Sequence, residues 1–345
     1  MPPLRCVSMR SGMSAIKRSP QTRHASLLRA GSGCEISTSD IELIRLLQAD
    51  GRISFVDLAE KLGLTEKTVR RRVGELRALE LIEITTVASP RAIGYSSVAL
   101  VGIRIVGGSN RLDIAEQLFE LNAVDYAVTT FGAYDILVEL VCRDNRELGD
   151  LLDGAIRGMD GVREIDIFPY LSLHYQQPAW DRTQVKEGGS RFSSNIVLDK
   201  VDREIVRCLS QDGRMPFLEI SRHIGISESQ IRKRYARLLE QGAVQVLAMT
   251  NPRSIGYRTI AWVCLTVASG ASITAVGDQV SALPSVAYIA LCAGKFDIMA
   301  EVMCRDPDDL FELLDKRIKS LPGISSVQTI LCEDFLYRRI TPIEE

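Results

Sequence analysis

The chain has 345 residues, a formal net charge of −2, three histidines and eight cysteines. It is not basic along its whole length, so any nucleic-acid surface has to be a local patch. No apolar run reaches the about 18 residues of a membrane helix, no Cys-x-x-Cys pair offers metal spacing, and the scattered His24, His174 and His223 make no histidine-rich metal site.

Residues 1–35 carry six Arg/Lys, one Glu and many Ser, Gly and Pro. They read as a disordered basic tail, or as an over-extended start with Met9 or Met13 as the true beginning. The functional alternative is an arm that touches DNA phosphates. Residues 36–88 then turn helical. Ile41, Leu43, Ile44, Leu46 and Leu47 recur at helical spacing. Asp50-Gly51-Arg52 is expected to end that helix on a left-handed-tolerant glycine. Ser54 caps a second predicted helix, Phe55 to Lys61, and Thr65 a third that runs to about Leu79. Short helices joined through a tight turn at Gly63 form a helix-turn-helix signature, and a short strand is expected at Leu81–Ile84.

Residues 89–175 are mixed. Strands are predicted at Ser97–Ile105, Tyr126–Thr130, Ile136–Val141 and Arg163–Leu173, with helices at Leu112–Leu121 and Glu147–Met159. That βαββαβ order is the split ferredoxin-like unit. Residues 176–197, with Pro178 and Gly188-Gly189-Ser190, read as a flexible linker.

The pattern then repeats. Residues 40–175 fall on 202–337 without a gap at an offset of 162, with about 39 of some 136 positions identical, a true internal duplication. Residues 198–250 repeat the helix-turn-helix, with Pro216 in place of Ser54 and Ser227 and Gln230 as a capping box; residues 251–340 repeat the mixed unit. The fold class is therefore α+β: two tandem units, each a winged helix-turn-helix followed by a ferredoxin-like domain.

On a wheel of about 100° per residue, Val69, Val73, Leu76 and Leu79 of the third helix face inward. Lys67, Arg71, Gly74 and Ala78 face outward, with Thr68 and Arg70 beside them. In the second copy Ser229, Lys233 and Ala236 face outward, flanked by Gln230, Arg232 and Arg237. Small residues let such a helix sit deep in a major groove while its cations reach phosphates or guanine edges. The expected contacts with double-stranded DNA are Lys67, Thr68, Arg70, Arg71 and Arg72 in one copy and Ser229, Gln230, Arg232, Lys233 and Arg234 in the other. Arg72 and Arg234 sit near the apolar flank, where they serve either as phosphate clamps or as internal salt-bridge partners. Gln230 has two competing uses, as cap and as base reader. The bland alternative for both helices is a solvated basic face.

These residues resemble the leucine-responsive regulator family, Lrp/AsnC. The resemblance rests on Asp50-Gly51-Arg52, Leu58-Ala59, Gly63 to Thr65, Val69, Arg72 to Leu76, Pro90, Gly94 and the turn Gly132-Ala133-Tyr134-Asp135, with matching places in the second copy. It implies transcription regulators whose ferredoxin-like domains self-associate through their sheets and bind an amino acid or similar small molecule. Here it implies a covalent pseudo-dimer. The implied effector region is Gly132, Tyr134 and Asp135 with Gly294, Phe296 and Asp297, where backbone amides would take a carboxylate and an acid would take an ammonium. The competing reading is that glycine only permits the turn and aspartate satisfies its backbone. No cofactor is expected, and the location implied is cytoplasmic, without a membrane role. Two other functions fit the same pattern: a haem-pathway decarboxylase of the siroheme type, which this family resembles in both domains, and an architectural protein that wraps DNA.

Overall fold

A computed structural model describes residues 36–176, 196, 198–338 and 340–343. The predicted tail 1–35 and nearly all of the linker lie outside the described residues.

Each helix-turn-helix forms where its caps dictate. In unit one α1 (Thr38–Ala49) starts on a reciprocal box between Ser37 and Asp40. Helix α2 (Phe55–Leu62) starts on Ser54 and stops at the left-handed Gly63, and α3 (Glu66–Ala78) starts on Thr65. These side chains accept the first-turn amides that a helix cannot pair by itself. Unit two repeats them as α6 (Lys200–Gln211), α7 (Phe217–Ile224) and α8 (Glu228–Glu240), the last on the predicted Ser227–Gln230 box. Pro216 occupies the cap of α7 without a side-chain hydrogen bond.

The strands after these helices, β1 (Ile82–Ala88) and β6 (Val244–Thr250), pair antiparallel with each other across the units. Thr85 faces Leu247, its own repeat equivalent, so a pseudo-two-fold axis passes through that pair. One apolar core serves both helix-turn-helix units: Ile44, Leu47, Leu58, Val69 and Leu76 pack with Ile205, Leu209, Ile220 and Ile231.

The Asp-Gly-Arg runs explain the tightness of this pairing, and they correct the expected left-handed glycine. Neither Gly51 nor Gly213 takes a positive φ. Instead their amides donate across the axis, Gly51 to the Val246 carbonyl and Gly213 to that of Ile84, both at 2.8 Å. A Cβ on Gly51 would lie 2.8 Å from the Leu247 backbone. Arg52 donates to the carbonyls of Gly213 (2.6 Å) and Met215 (3.1 Å) and covers the Phe217 ring. Arg214 returns the arrangement on Gly51 (2.8 Å), Ile53 (2.9 Å) and the Phe55 ring.

The mixed halves contain β2 (Ser97–Ile105), α4 (Arg111–Phe119), β3 (Val124–Phe131), β4 (Ile136–Cys142), α5 (Asn145–Leu151) and β5 (Val162–Gln176). They repeat as β7 (Thr259–Val267), α9 (Ile273–Ser281), β8 (Val286–Cys292), β9 (Ile298–Cys304), α10 (Pro307–Glu312) and β10 (Ile324–Tyr337). The predicted helix Glu147–Met159 is α5 plus a π-helical stretch, Leu152–Ile156. Each unit forms a four-stranded antiparallel sheet, β3-β4-β2-β5 and β8-β9-β7-β10. The β5–β8 and β10–β3 pairs join the two sheets edge to edge and close an eight-stranded barrel. Closure leaves neither sheet a free edge. Helices cover the outside of each sheet over Val101, Ile136 and Val138 in unit one and Val263, Ile298 and Ala300 in unit two. The inside is filled by Leu100, Leu137, Phe168, Trp262, Cys264, Phe296 and Met299. With both faces covered, every residue of β4 and of β9 is buried, where a half-solvated strand would alternate.

Candidate functional site

The outward face of α3 carries Lys67, Arg70 and Arg71 in solvent, beside the exposed Gly74 and Ala78. Arg70 pairs with Glu66 at 2.6 Å and lies over Phe55, and Arg71 pairs with Glu75. Thr68 is half-buried, its hydroxyl 2.8 Å from that of the cap Thr65. On α8, Ser229, Gln230, Arg232 and Lys233 are exposed. Arg232 pairs with Glu228 at 2.5 Å. These one-turn pairs are exposed and weak, so the arginines remain available to a phosphate.

One expected contact is corrected, and two others gain a second, structural use. Arg72 is only 2% exposed; its Nε donates to Asp40 at 2.8 Å, its Nη2 to the same carboxylate, and its Nη1 to Glu75 at 2.9 Å. It clamps α3 to α1 and cannot reach DNA. Arg234 ties α8 to the start of α6 in unit two, at 2.6 Å from Asp199 and 2.8 Å from Asp202, but stays 31% exposed, so its salt bridges are added to its expected DNA contact without excluding it. Gln230 spends its side-chain oxygen on the Ser227 amide at 3.0 Å, so it caps α8. Sequence left each of these uses open; Asp40 on α1 decides that of Arg72, Asp199 and Asp202 at the start of α6 engage Arg234, and Ser227 engages Gln230.

The expected effector turn is also differently employed. Gly132 and Gly294 hold φ of +133° and +129°, as the turn requires. The Asp135 carboxylate accepts the Ile105 amide at 3.0 Å, and Asp297 accepts that of Val267 at 2.7 Å. Tyr134 and Phe296 are buried among Phe168 and the barrel lining, and the Tyr134 hydroxyl donates to Asp166 at 2.6 Å. Tyr134 and Phe296 thus pack into the apolar cluster inside the barrel. The aspartates satisfy backbone, the competing reading of the same motif.

A cavity of about 130 Å³ lies elsewhere, between the β1–β6 ribbon and the end of the barrel. Gln48 of α1, Val87 of β1 and Ala248–Thr250 of β6 form its ribbon side. Its barrel side carries three carboxylates, Asp125, Glu139 and Glu301, with Tyr126, Trp262 and Tyr288. Glu139 and Glu301 are repeat equivalents, whereas the repeat equivalent of Asp125 is Ala287. Tyr170 and Tyr288 donate to Glu139 Oε2 at 2.5 and 2.8 Å, and Tyr126 donates to Glu301 Oε1 at 2.8 Å. Glu139 and Glu301 share the barrel-facing side of β4 and β9 with Leu137 and Met299. The signal in the sequence that could have found them is an acid within an otherwise apolar strand.

Burial raises all three acids. Asp125 goes well above the usual carboxylate range, with the charge of Glu139 adding to the effect. Burial also raises Glu139 against the hydrogen bonds of Tyr170 and Tyr288. Glu301 is pushed up to about 7 by burial, with Tyr126's hydrogen bond opposing and Glu139's charge assisting. The sign follows. A folded-state pKa above the unfolded one means the fold holds the proton more tightly, so this contribution is complete below the ordinary glutamate range and fades as pH rises through about 7. The thermal midpoint is expected to fall between pH 5 and pH 8, and to fall less in Glu301→Gln; equal slopes would show that Glu301 does not titrate there.

Among the described residues no three His, Cys, Asp or Glu side chains are placed to hold a metal ion, no helix is long and apolar enough to cross a membrane, and six cysteines are buried and free.

Two helix-turn-helix units sharing one ribbon, seated on a barrel that holds an acidic cavity, define a paired DNA-binding architecture with a ligand-domain body. Residues 38–77 and 198–239 match the AsnC-type helix-turn-helix domain, and residues 98–180 and 260–339 match the Lrp/AsnC ligand binding domain. The chain belongs to the Lrp/AsnC family, in a tandem duplicated form. It is 34% identical over 138 residues to an uncharacterised HTH-type transcriptional regulator of Pyrococcus abyssi, covering 40% of this chain and 87% of the relative. It is 30% identical over 132 residues to the HTH-type transcriptional regulator LrpA of Pyrococcus horikoshii, covering 38% and 93%. Among solved structures, the siroheme decarboxylase NirDL shares the fold with a TM-score of 0.57 at 16% identity, over 89% of this chain and 94% of that one.

Proposed function

We propose that the chain is a sequence-specific, DNA-binding transcriptional regulator whose hold on DNA responds to a small molecule. The observation that carries the reading is the pairing of α3 and α8 about one pseudo-two-fold axis, each with exposed cations on its outward face. Duplex DNA bound by paired helices is read as two half-sites. The relatives' names support the regulator class, and the matched ligand-binding domains support a small-molecule effector.

The test is a mobility shift at several salt concentrations. Lys67→Ala with Arg71→Ala, and separately Lys233→Ala, are each expected to weaken binding and to lower the salt slope by about one for every phosphate contact removed. A chain that ignores every duplex in dilute buffer would end the regulator reading.

The fold shared with NirDL favours a second reading, tetrapyrrole decarboxylation. The cavity chemistry weighs against it. A large polycarboxylate would meet Asp125, Glu139 and Glu301 in about 130 Å³, with no lysine, arginine or histidine on the walls. Tetrapyrrole absorbance in the purified chain would support the enzyme instead.

A further inference from the structure

We propose that the cavity between ribbon and barrel binds a small organic ammonium cation, which touches both at once. The inference rests on the regulator reading for its biological consequence; the binding site itself stands on the geometry.

The walls call for a donor. Gln48 is 1% exposed and Asp125 is 8% exposed, and both line the cavity. Gln48 Oε1 and Asp125 Oδ1 are buried without a hydrogen-bond partner. Such orphans cost on the order of 1–3 kcal/mol each, and both are acceptors. Most of the wall's own donors are already spent: the Tyr126 and Tyr288 hydroxyls on the glutamates, Trp262 Nε1 on the Tyr126 oxygen at 3.2 Å, and the Thr250 hydroxyl on the Leu81 carbonyl at 2.6 Å; the Gln48 amide and the Tyr337 hydroxyl remain, both neutral. An ammonium brings three N–H donors and no acceptor.

The walls also call for positive charge. Three carboxyl groups converge there, Asp125 and Glu139 hydrogen-bonded to each other, and no basic side chain lines the space; burial favours their neutral forms, and a cation among them restores the charge. Trp262 meets Tyr126 and Tyr288 in edge-to-face contacts, at ring separations of 6.2 and 5.7 Å. The negative face of an indole or phenol ring attracts a cation. An α-carboxylate, by contrast, would meet three acids and no cationic partner on these walls, so the favoured ligand is an amine without a free acid. Ala248, Met249, Pro252, Met303 and Phe335 supply the apolar remainder. A volume of about 130 Å³ suits a ligand of roughly benzene size, since an engineered cavity of about 150 Å³ holds benzene.

Position gives the ligand leverage. Val87 and Ala248–Thr250 belong to the ribbon that joins the reading heads, and Gln48 belongs to α1. Occupancy therefore favours the state in which ribbon and barrel are seated together.

The experiment uses the full chain carrying Trp180→Phe, so that Trp262 is the one indole, with fluorescence as the readout. Benzylamine and isoamylamine are the probes; benzyl alcohol and benzoate are the neutral and anionic counterparts of the first. Saturable binding of an amine is expected, at least tenfold tighter than benzyl alcohol, with no response to benzoate. Asp125→Asn and Glu301→Gln are each expected to weaken the amine at least tenfold while benzyl alcohol changes little, which also reports that the cavity is still folded. No saturable response to either amine, equal binding of benzoate, or amine binding unaltered in both variants would overturn the site. DNA affinity is measured separately with and without amine; a chain that binds the amine but no duplex would sink the regulator reading and leave the cation site standing.

Discussion

Asp40→Ala is expected to destabilise unit one by about 3–5 kcal/mol, the loss typical when one partner of a buried ion pair is removed. Arg72 would be left 2% exposed with only the half-buried Glu75 as counter-charge. Desolvation is the larger effect here: an uncompensated guanidinium in the interior costs more than the pair itself contributes. Asp202→Ala is the internal comparison. Its partners Arg234 and Arg237 are 31% and 46% exposed, so water takes over, and about 1.5–3 kcal/mol is expected. Denaturant unfolding followed by circular dichroism separates the two; equal losses would refute the argument from burial. Acid should mimic the first variant. Burial by itself would raise the Asp40 carboxyl, but hydrogen bonds from Arg72 and Ser37 outweigh it and hold it below the usual range. Its contribution is therefore present above the ordinary carboxylate range and lost as pH falls through the depressed folded value.

Gly51→Ala carries the second large effect. The new methyl group would sit 2.8 Å from both Cα and N of Leu247, and backbone on the central ribbon cannot move aside as a side chain can. Overpacking of this kind costs about 1–3 kcal/mol. Displacing the Gly51 amide from Val246 adds roughly 0.5–1.5 kcal/mol. Gly213→Ala meets the Val246 side chain at 2.7 Å and the Ile84 carbonyl at 3.0 Å, so its cost should be similar or smaller. Both variants are expected to loosen the pairing of α3 with α8 and to reduce DNA affinity more than Lys233→Ala does. Full affinity in the Gly51→Ala, Gly213→Ala double variant would show that the ribbon does not set the spacing of the heads.

Local signals were read well because their causes are local. Ser54, Thr65 and Ser227 cap the helices they were expected to cap, and the first predicted strand of the mixed unit, Ser97–Ile105, has the observed bounds. The duplication announced two equivalent units, and the family resemblance implied that they pair. What sequence could not supply were uses set by distant partners. Gly51 looks like any glycine after a helix until Leu247 is brought against it. Arg72 looks like any cation on a basic helix until Asp40, on another helix, buries it. The cavity draws its walls from α1, both ribbon strands and six strands of the barrel, so no stretch of sequence contains it. Its one local trace is Glu139 and Glu301, acids inside runs of otherwise apolar strand.

Covalent fusion of the two halves has a consequence for how the molecule behaves at low abundance. A regulator assembled from separate polypeptides falls apart on dilution, whereas here the halves meet at a fixed effective concentration on the order of millimolar, whatever the number of copies in a cell. Fusion also frees each half to drift. Trp262 stands where its counterpart is Leu100, and Ala287 where its counterpart is Asp125, so a single lopsided guest per polypeptide and an operator without mirror symmetry become accessible to this chain, as they are not to a protein built from two identical subunits.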